Sequence, residues 1–410
     1  MDGLSAQGER KIAWAASWMP VLNRVRDELR EDGSVADRRI AVILPVEPKT
    51  AYLAAVLAEA GADVSVAFQG AMVHDDVAAG LAARGVAVFA RRGSSHEEEL
   101  GYFEDVLARR PEVVIDDRAD VIRLAHTTHP EVLETLVGAS EETTSGVVAL
   151  RAMEADGTLK VPCVAANDAR SKFLFDNRYG SGQSTVSAVM DSTNLLVAGK
   201  RLVVVGYGWV GKGIARRARG MNARVVVCEV DPFAALEAFH DGFEVLPIAE
   251  ACAGADIVMT ATGVRGAVPP EAIDRLPDGA LLANCGGVDD EFDVAALRER
   301  ALAVEEARPG VEEFRLSEDR SVFVIGGGVV VNLSAGEGHP VEIMDLTFAV
   351  QALSARHLLR HAHELEPRVH QFPAELDEQV ARWKLDALGV RIDSLTEAQL
   401  AFLRGWEAFA

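Results

Sequence analysis

The sequence lacks three features, and each absence narrows the class of protein. Its four cysteines, Cys163, Cys228, Cys252 and Cys285, are widely spaced and form no CxxC pair, so no zinc site is indicated and we expect reduced core thiols. No apolar run reaches the ~18 residues that a membrane span needs, which favours a cytoplasmic protein with no membrane partner. Basic residues are outnumbered by acidic ones: 41 Lys and Arg against 63 Asp and Glu give a formal net charge of -22. Such a surface repels phosphate backbones, so we expect no nucleic-acid partner.

Apolar runs that alternate with Ala-rich stretches dominate what is present. With 410 residues, 49% of them hydrophobic and 25% charged, the chain has the balance of a globular protein and room for two domains. From Arg39 the runs IAVIL, ADVSVAF, VAVFA and EVVID alternate with helical stretches such as 50–60 and 75–84. A second series begins at Lys200 and continues to about Val331. This alternation predicts βαβ units and parallel sheets.

The order of these segments predicts that one domain is inserted in another. We expect an α/β protein with two Rossmann-like, doubly wound parallel-sheet domains. Residues 1–190 would form the first part of a substrate-binding and catalytic domain, and residues 191–333 an NAD-binding domain. Residues 334–410 are rich in Leu, Ala and Glu, and we expect a helical segment that returns to the catalytic domain.

The motif GYGWVG, which contains Gly206, Gly208 and Gly211, follows the apolar strand RLVVV and precedes a helical stretch. This is the context of a dinucleotide fingerprint, in which the three glycines allow a tight turn, close approach of a pyrophosphate and close helix–strand packing. Glu229 ends the next apolar run, where a carboxylate can accept hydrogen bonds from both ribose hydroxyls and repel a 2′-phosphate. A glycine-rich turn without a ligand is the alternative, but the strand, helix and acid together favour NAD.

Three stretches outside the fingerprint carry a more specific resemblance. They are DDRAD at 116–120, GASEETTSGV at 138–147 and NDARSKFLFDNRYGSGQS at 167–184. Together with GYGWVGKG, VVVCEVDP, VVVNLSAGEGHP and LTEAQLAFL, they resemble the S-adenosylhomocysteine hydrolase family over nearly the whole chain. The resemblance implies that tightly held NAD oxidises the 3′-hydroxyl of a nucleoside, which acidifies the 4′-hydrogen so that the group on C5′ is eliminated. In the hydrolase, water then adds and the ketone is reduced again.

The resemblance also implies roles for the residues that handle the sugar. Lys172 matches the lysine that activates the 3′-hydroxyl. A base at this position must be neutral, which burial that lowers its pKa would serve, or hydrogen-bonded to a proton acceptor. Asp176 and Asn177 match residues that orient this lysine, and Glu142 matches the carboxylate that clamps the ribose hydroxyls. Asp117 matches the aspartate near C4′ and C5′, a candidate for proton transfer.

Further contacts follow from the same resemblance. His339 and Met344 match positions that line the base pocket. The implied cofactor contacts are Thr143, Thr144, Gly206, Gly208, Trp209, Val210, Gly211, Glu229, Thr262, Asn284 and Asn332. Such residues also serve as helix caps and turn residues, but capping requires no such joint pattern.

The chain departs from the family at two histidines. The family motif NIGHFD reads NCGGVD here, with Gly287 in the place of the histidine. Near the N-terminus a histidine-methionine-threonine run is replaced by Pro45, Val46 and Glu47, and Lys49 takes the position that reads the base. We assign Glu47 and Lys49 to substrate binding, where a lysine would reverse the hydrogen-bond pattern offered to a purine edge.

The C-terminal end differs as well. The family's lysine- and tyrosine-bearing tail, which reaches the NAD site of a neighbouring subunit, is absent after GWEAFA. A homo-oligomer, either a dimer or a tetramer, is still expected. His370 lies in VHQFP and is open to a structural or a functional reading.

Three functions remain open on the sequence. The first is a nucleoside dehydratase that stops at a 4′,5′-unsaturated nucleoside of the angustmycin type, because imidazoles that support water addition are missing. The second is a true S-adenosylhomocysteine hydrolase, and the third is a catalytically silent NAD-binding regulator. Retention of Lys172, Asp176 and Asn177 argues against the third.

Overall fold

The computed structural model describes residues 3–406, and residues 1, 2 and 407–410 lie outside this range. Two sheets are built from fifteen strands within it. The strands are β1 Arg39–Val42, β2 Asp63–Ala67, β3 Ala87–Phe89, β4 Val113–Asp116, β5 Gly138–Glu141, β6 Cys163–Ala165, β7 Arg201–Val205, β8 Arg224–Cys228, β9 Glu244–Val245, β10 Ile257–Thr260, β11 Ala280–Asn284, β12 Ala303–Arg308, β13 Val311–Ser317, β14 Arg320–Ile325 and β15 Val369–Gln371.

Helices cover both sheets. They are α1 Gly3–Ser17, α2 Pro20–Asp32, α3 Pro48–Glu59, α4 Asp75–Ala83, α5 His96–Ala108, α6 Asp120–Thr127, α7 Thr144–Ala155, α8 Arg170–Phe173, α9 Ser181–Thr193, α10 Trp209–Gly220, α11 Pro232–His240, α12 Ile248–Cys252, α13 Pro270–Ile273, α14 Val294–Arg300, α15 Val331–Ser334, α16 Val341–His361, α17 Ala374–Ala387 and α18 Glu397–Arg404. A π-helical turn, Asp176–Gly180, joins α8 to α9. Among the described residues, no helix has the length and apolar character to cross a bilayer.

The first sheet is parallel throughout and has the strand order β3-β2-β1-β4-β5-β6-β15. Its central strands β4 and β5 are buried at every position, as expected for a sheet covered on both faces. The chain order reverses between β1 and β4, and ligands of such sheets bind beyond the carboxyl ends of the strands at this switch point. The last strand, β15, comes from the C-terminal segment, which therefore completes the first domain.

The second sheet has the order β12-β13-β14-β11-β10-β7-β8-β9. Six of its strands are parallel neighbours in the Rossmann order, with the switch point between β7 and β10. Together the two sheets confirm the α/β class and the insertion of one doubly wound domain in another. The expectation of purely parallel sheets was wrong at one edge, because β12, β13 and β14 form an antiparallel meander.

The long helix α16 ties the C-terminal segment to the first domain. Most of its length is buried, including the polar side chains of Asp345, Thr347 and Gln351. Asp345 anchors it, because Oδ1 accepts a hydrogen bond from the backbone N–H of Leu22 at 2.8 Å and Oδ2 accepts one from Lys384 Nζ at 2.8 Å. The other two polar side chains face the carboxyl end of the first sheet, where they enter the candidate site.

Candidate active site

The glycine turn after β7 has the geometry that the sequence predicted. Gly206 has φ of 94°, and a Cβ there would lie 2.8 Å from the carbonyl oxygen of Ala261. A Cβ on Gly211 would lie 1.9 Å from the carbonyl oxygen of Gly206, so the start of α10 can pack on the turn only without a side chain. Gly208 differs, since apart from its chain neighbours no protein atom lies within 4 Å of its Cβ position. An open cradle at a helix N-terminus is what a pyrophosphate requires.

Two more groups fit NAD. Glu229 follows β8, and its carboxylate accepts hydrogen bonds from the backbone N–H groups of Tyr207 and Val230, both at 2.6 Å, which fixes the carboxylate beside the glycine turn. Asn332 is buried, and its Nδ2 donates to Ser184 Oγ at 3.1 Å while Oδ1 has no protein partner. A buried carbonyl without a donor is rare in proteins, and a ligand amide could satisfy this one.

The remaining implied cofactor residues organise loops. Thr143 caps α7, and Thr144 Oγ1 accepts a hydrogen bond from Asn167. Thr262 donates through both its backbone N–H and its Oγ1 to the buried Glu291, at 2.9 and 2.8 Å. Both the oxygen and the nitrogen of the Asn284 side-chain amide are hydrogen-bonded to protein groups. Asn284 can therefore influence a cofactor only through the conformation of its loop. Trp209 and Val210 begin α10.

The ammonium of Lys172 lies at the centre of a buried polar cluster. Its Nζ is 2.8 Å from Asn177 Oδ1 and 3.4 Å from Asp176 Oδ1. It is also 3.4 Å from Asn167 Oδ1 and 3.5 Å from Glu142 Oε1. The cluster adjoins the cradle, because Phe173, the residue after Lys172, packs its ring 5.1 Å from that of Trp209, the residue after Gly208. The structure therefore brings together the residues that the sequence assigned to the sugar.

Of the two ways in which Lys172 could act as a base, the geometry favours hydrogen bonding to proton acceptors over a lowered pKa. Burial alone would lower the pKa of this amine, but the carboxylates of Asp176 and Glu142 outweigh burial and raise it. The same attraction lowers the pKa of Asp176, against its burial, with His339 contributing. Without a substrate, Lys172 is an ammonium paired with Asp176.

Glu142 is the carboxyl in this cluster that titrates near neutrality. Burial raises its pKa to about 7, although Lys172 opposes the shift. Its Oε2 accepts a hydrogen bond from Gln351 Nε2 at 2.5 Å, and Gln351 Oε1 accepts one from Ser140 at 2.5 Å. Helix α16 thus fixes the orientation of Glu142.

Asp117 lies beyond β4 with a carboxyl oxygen, Oδ1, that is buried and unpartnered. Burial raises its pKa. Its neighbour Arg118 has φ of 58°, a strained value for a residue with a side chain, and the Arg118 and Ala119 N–H groups donate to the buried Glu141. The Arg118 guanidinium reaches Asp289 of the second domain, with Nη1 and Oδ2 3.3 Å apart. Asp117 is thus held at the junction of the two domains.

Glu47 and Lys49, which the resemblance assigns to substrate binding, form a buried ion pair. Lys49 Nζ lies 2.6 Å from Glu47 Oε2, and it donates to the carbonyl of Glu337 at 2.8 Å. The Glu47 carboxylate also caps α3, with Thr50 N–H donating at 3.0 Å. One N–H of the Lys49 ammonium therefore remains for a ligand. Pro45 lies in the turn that leads to Glu47.

The remaining residues named in the sequence analysis lie partly in the cleft and partly at the surface. A Cβ on Gly287 would have one neighbour, Ser145 Oγ at 3.6 Å. His339 precedes α16 and its ring contacts Asp176, while Met344 is buried on α16. His370 lies on the edge strand β15 and its Nε2 is bonded to the Glu366 carbonyl at 2.8 Å, away from the cluster.

Sequence reasoning missed several participants. These are Asn167, Ser181, Glu291, Thr347 and Gln351. Asn167 and Ser181 lay inside a quoted stretch and could have been found there, whereas Thr347 and Gln351 come from a helix with no motif. In residues 3–406, no three His, Cys, Asp or Glu side chains are grouped to hold a metal ion.

Comparison with known proteins agrees with this architecture. Residues 177–338 match the family model described as S-adenosyl-L-homocysteine hydrolase, NAD binding domain, and residues 3–131 match that described as S-adenosyl-L-homocysteine hydrolase. The chain is 48% identical to an adenosylhomocysteinase of Thermotoga maritima over 404 residues, which are 98% of this chain and 99% of that protein. It is 44% identical to an S-inosyl-L-homocysteine hydrolase of Methanopyrus kandleri over 406 residues, 98% of this chain and 96% of that one. The chain therefore belongs to the S-adenosyl-L-homocysteine hydrolase family and is an NAD-dependent enzyme of that family.

Proposed function

We propose that the protein is a nucleoside dehydratase. Its substrate would be a nucleoside with a hydroxyl on C5′. The 3′-hydroxyl is oxidised, the C4′ proton is removed, and the C5′–O bond breaks with loss of water. The 3′-ketone is then reduced again, so the product is a 4′,5′-unsaturated nucleoside and no net oxidation occurs. Bound NAD supplies the hydride acceptor and donor.

The observation that carries this proposal is the complete cluster around Lys172. Oxidation of a hydroxyl requires a group that takes the O–H proton, and the Lys172 amine lies where the cradle meets the sugar-binding residues. Glu142, held by Gln351, can accept a hydrogen bond from the neighbouring hydroxyl. A protein that only bound NAD would have no need for a buried ammonium with four polar neighbours, since such burial costs free energy.

The other end of the sugar supports elimination of water. Hydroxide is a poor leaving group and must receive a proton as the C5′–O bond breaks. Asp117 suits this step, because burial raises its pKa and its Oδ1 has no protein partner. At the two positions where the family has histidines, Pro45 and Gly287 offer no titratable group. Water addition to the alkene therefore lacks those bases.

A true hydrolase is the second candidate. The Thermotoga maritima and Methanopyrus kandleri relatives are named as hydrolases of thioether nucleosides. The second of these names an inosyl substrate, and the free N–H of Lys49 could donate to the oxygen of a 6-oxopurine. For this reason both amino- and oxo-purine nucleosides belong in the test.

The test is a product analysis. Purified protein with NAD is incubated separately with adenosine, a psicose nucleoside, S-adenosylhomocysteine and S-inosylhomocysteine, and products are identified by mass spectrometry. Loss of one water from a nucleoside supports the dehydratase. Release of homocysteine at enzymatic rates refutes it in favour of the hydrolase, and failure of every substrate to reduce the nicotinamide refutes both.

A further inference from the structure

The turn at Arg118 and Ala119 is unusual for residues that carry side chains. Their φ values are 58° and 56°, in the left-handed region that favours glycine. The Arg118 N–H donates to Glu141 Oε1 and Thr143 Oγ1, both at 3.0 Å. The Ala119 N–H donates to Glu141 Oε2 at 2.9 Å. Backbone strain of this kind is concentrated at functional sites, which makes the Arg118 side chain a candidate for a role in the site.

The Arg118 guanidinium is buried between the two domains, and part of it has no hydrogen-bond partner. Its side chain is 16% exposed, and Nη1 donates to Asp289 Oδ2 of the second domain at 3.3 Å. Nη2 lies 3.5 Å from Asp120 Oδ2, close enough for an ion pair. However, Nε and Nη2 are shielded from solvent and make no hydrogen bond. A buried donor without an acceptor is unfavourable, so these N–H groups are available to an acceptor on a ligand.

An unsatisfied acceptor belongs to the preceding residue. Asp117 is 8% exposed, and its Oδ1 is buried without a partner. Burial raises the pKa of this carboxyl, and the charge of Arg118 gives the strongest electrostatic opposition to the shift, which indicates that the two side chains lie close together. A hydroxyl satisfies both groups, because it can accept from an N–H and donate to a carboxylate. A thioether sulfur has no proton to donate and is a weak acceptor.

Under the proposed function, these two groups face the C5′ end of the sugar. By the family resemblance, Asp117 lies near C4′ and C5′. Burial lowers the pKa of Lys172 and nearby carboxylates raise it, Asp117 among them, so Asp117 adjoins the sugar-binding cluster. Asp289, the partner of Arg118, is two residues beyond Gly287, where the family has a histidine. The guanidinium therefore lies between the residue assigned to proton transfer at C5′ and the loop that lacks the imidazole.

We propose that Arg118 is a specificity-determining residue: together with Asp117 it binds the hydroxyl on C5′ and selects an oxygen over a thioether as the leaving group. The inference deepens the proposed dehydration and rests on it for its chemistry. In that step the electrons of the C4′–H bond form the C4′=C5′ double bond, and the electrons of the C5′–O bond leave with the oxygen. The oxygen takes a proton from Asp117, which the C4′ proton replaces, and departs as water. The guanidinium stays charged and stabilises the negative charge that develops on the oxygen.

The variant that tests this role is Arg118→Gly. Glycine adopts φ of 58° without strain, and the hydrogen bonds of the backbone N–H remain, so the turn should keep its shape. The matched control is Arg110→Gly. Arg110 has φ of 53° and a half-exposed side chain, and it precedes β4, at the opposite end of the strand from Asp117. Both variants thus remove an arginine side chain from a left-handed position.

The test compares nucleosides with and without the C5′ hydroxyl. Adenosine or a psicose nucleoside is paired with the analogue in which the leaving hydroxyl is replaced by hydrogen, and oxidation of each is followed in single turnovers by absorbance of the reduced nicotinamide. At low concentration, the parent and Arg110→Gly should oxidise the hydroxylated nucleoside at least about tenfold more efficiently, as expected for a hydrogen bond to a charged group. In Arg118→Gly this preference should fall about tenfold and loss of water should slow about 10²-fold, while oxidation of the analogue is unchanged.

A purely structural bridge between the domains predicts a different result. In Asp289→Ala this contact is lost but the guanidinium remains, so the preference for the hydroxylated nucleoside should persist. The contact with the C5′ oxygen is refuted if Arg118→Gly slows both nucleosides alike and keeps the preference. It is also refuted if Asp289→Ala abolishes the preference as fully as Arg118→Gly does, because Arg118 would then act only through the bridge.

These outcomes are separable from the fate of the proposed function. A parent enzyme that prefers the hydroxylated nucleoside through Arg118 but releases no water overturns the dehydratase, while the contact with the hydroxyl stands. Loss of water at the parental rate in Arg118→Gly overturns the contact and leaves the dehydratase. Absence of reduced nicotinamide in the parent with every nucleoside overturns both.

Discussion

Replacement of Lys172 tests the chemistry most directly. In Lys172→Met the amine is lost, and the expected fall in the rate of sugar oxidation is 10²–10⁴-fold, the usual contribution of a general base. Binding of NAD should be unchanged, because the glycine cradle and Glu229 make no contact with the lysine side chain. Two groups limit the loss of stability: Glu142, with its pKa of about 7, can become neutral near pH 7, and Asp176 keeps Thr347. The free energy of unfolding should fall by less than the roughly 3–5 kcal/mol typical of a broken buried ion pair.

The matched control is Lys172→Arg. A guanidinium keeps the positive charge beside Asp176 and Glu142 but stays protonated at all accessible pH values. Single-turnover absorbance of the reduced nicotinamide is measured for both variants and the parent, alongside NAD content and thermal unfolding. Both variants should retain NAD and lose the absorbance. If Lys172→Arg oxidises the nucleoside at the parental rate, positive charge alone is sufficient and the role of Lys172 as a base is refuted.

Four other changes have defined outcomes. The Cβ of Gly208→Ala would meet no protein atom within 4 Å apart from its chain neighbours, so thermal stability of the NAD-free protein should be unchanged while calorimetry shows weakened NAD binding; equal affinity would refute the role of Gly208 in binding the pyrophosphate. In the folded parent the Glu142 carboxyl keeps its proton up to about pH 7, but in the unfolded chain only up to about pH 4.5. Its contribution to the free energy of unfolding is therefore fully present below pH 4.5 and is lost as the pH rises through 7. Unfolding measured from pH 5 to 8 should therefore show Glu142→Gln gaining stability relative to the parent, by at most about 3 kcal/mol, and a constant difference would show that the group does not titrate there. Lys49→Met should raise KM about 10-fold, the loss of one hydrogen bond from a charged group, with kcat little changed; a fall in kcat alone would exclude a base-binding role. Gly287→His has room, with one contact at 3.6 Å, and should add water to the alkene, detected as ¹⁸O incorporation; its absence in a folded, oxidation-competent variant would mean that loss of this imidazole does not determine the product.

The fold could be predicted because its signals are local. The run RLVVV followed by Gly206, Gly208 and Gly211 admits one backbone geometry, and two series of alternating strands and helices require parallel sheets. The antiparallel strands β12, β13 and β14 were missed. The exposed charges of β12 at Glu305 and Glu306 give no clear alternation of buried and exposed residues, and pairing at a sheet edge depends on partners distant in the chain.

The candidate site could be predicted only in part. Residues within a distinctive stretch, such as Lys172 and Asn177, were found through the resemblance. Their electrostatics were not, because the pKa of Lys172 depends on how Asp176 and Glu142 approach it in space, and the sequence left open whether burial lowers it. Gln351 is 209 residues from the Glu142 carboxylate that it holds. A contact of this kind leaves no pattern in a single sequence.

The cluster around Lys172 and the two positions that lack the family's histidines are held in different ways, which explains how the proposed elimination could differ from the family's reaction while the proposed oxidation is kept. Three of the four polar groups around Lys172 have a second partner from another segment: Thr347 for Asp176, Gln351 for Glu142 and Thr144 for Asn167. A substitution there would leave a buried polar group unsatisfied, which is costly. Gly287 lies in a loop with space beside it, and Pro45 lies in a turn before α3. Side chains at these two places can be exchanged without disturbing the oxidation cluster, so the fate of the group on C5′ can vary independently of the oxidation that activates it.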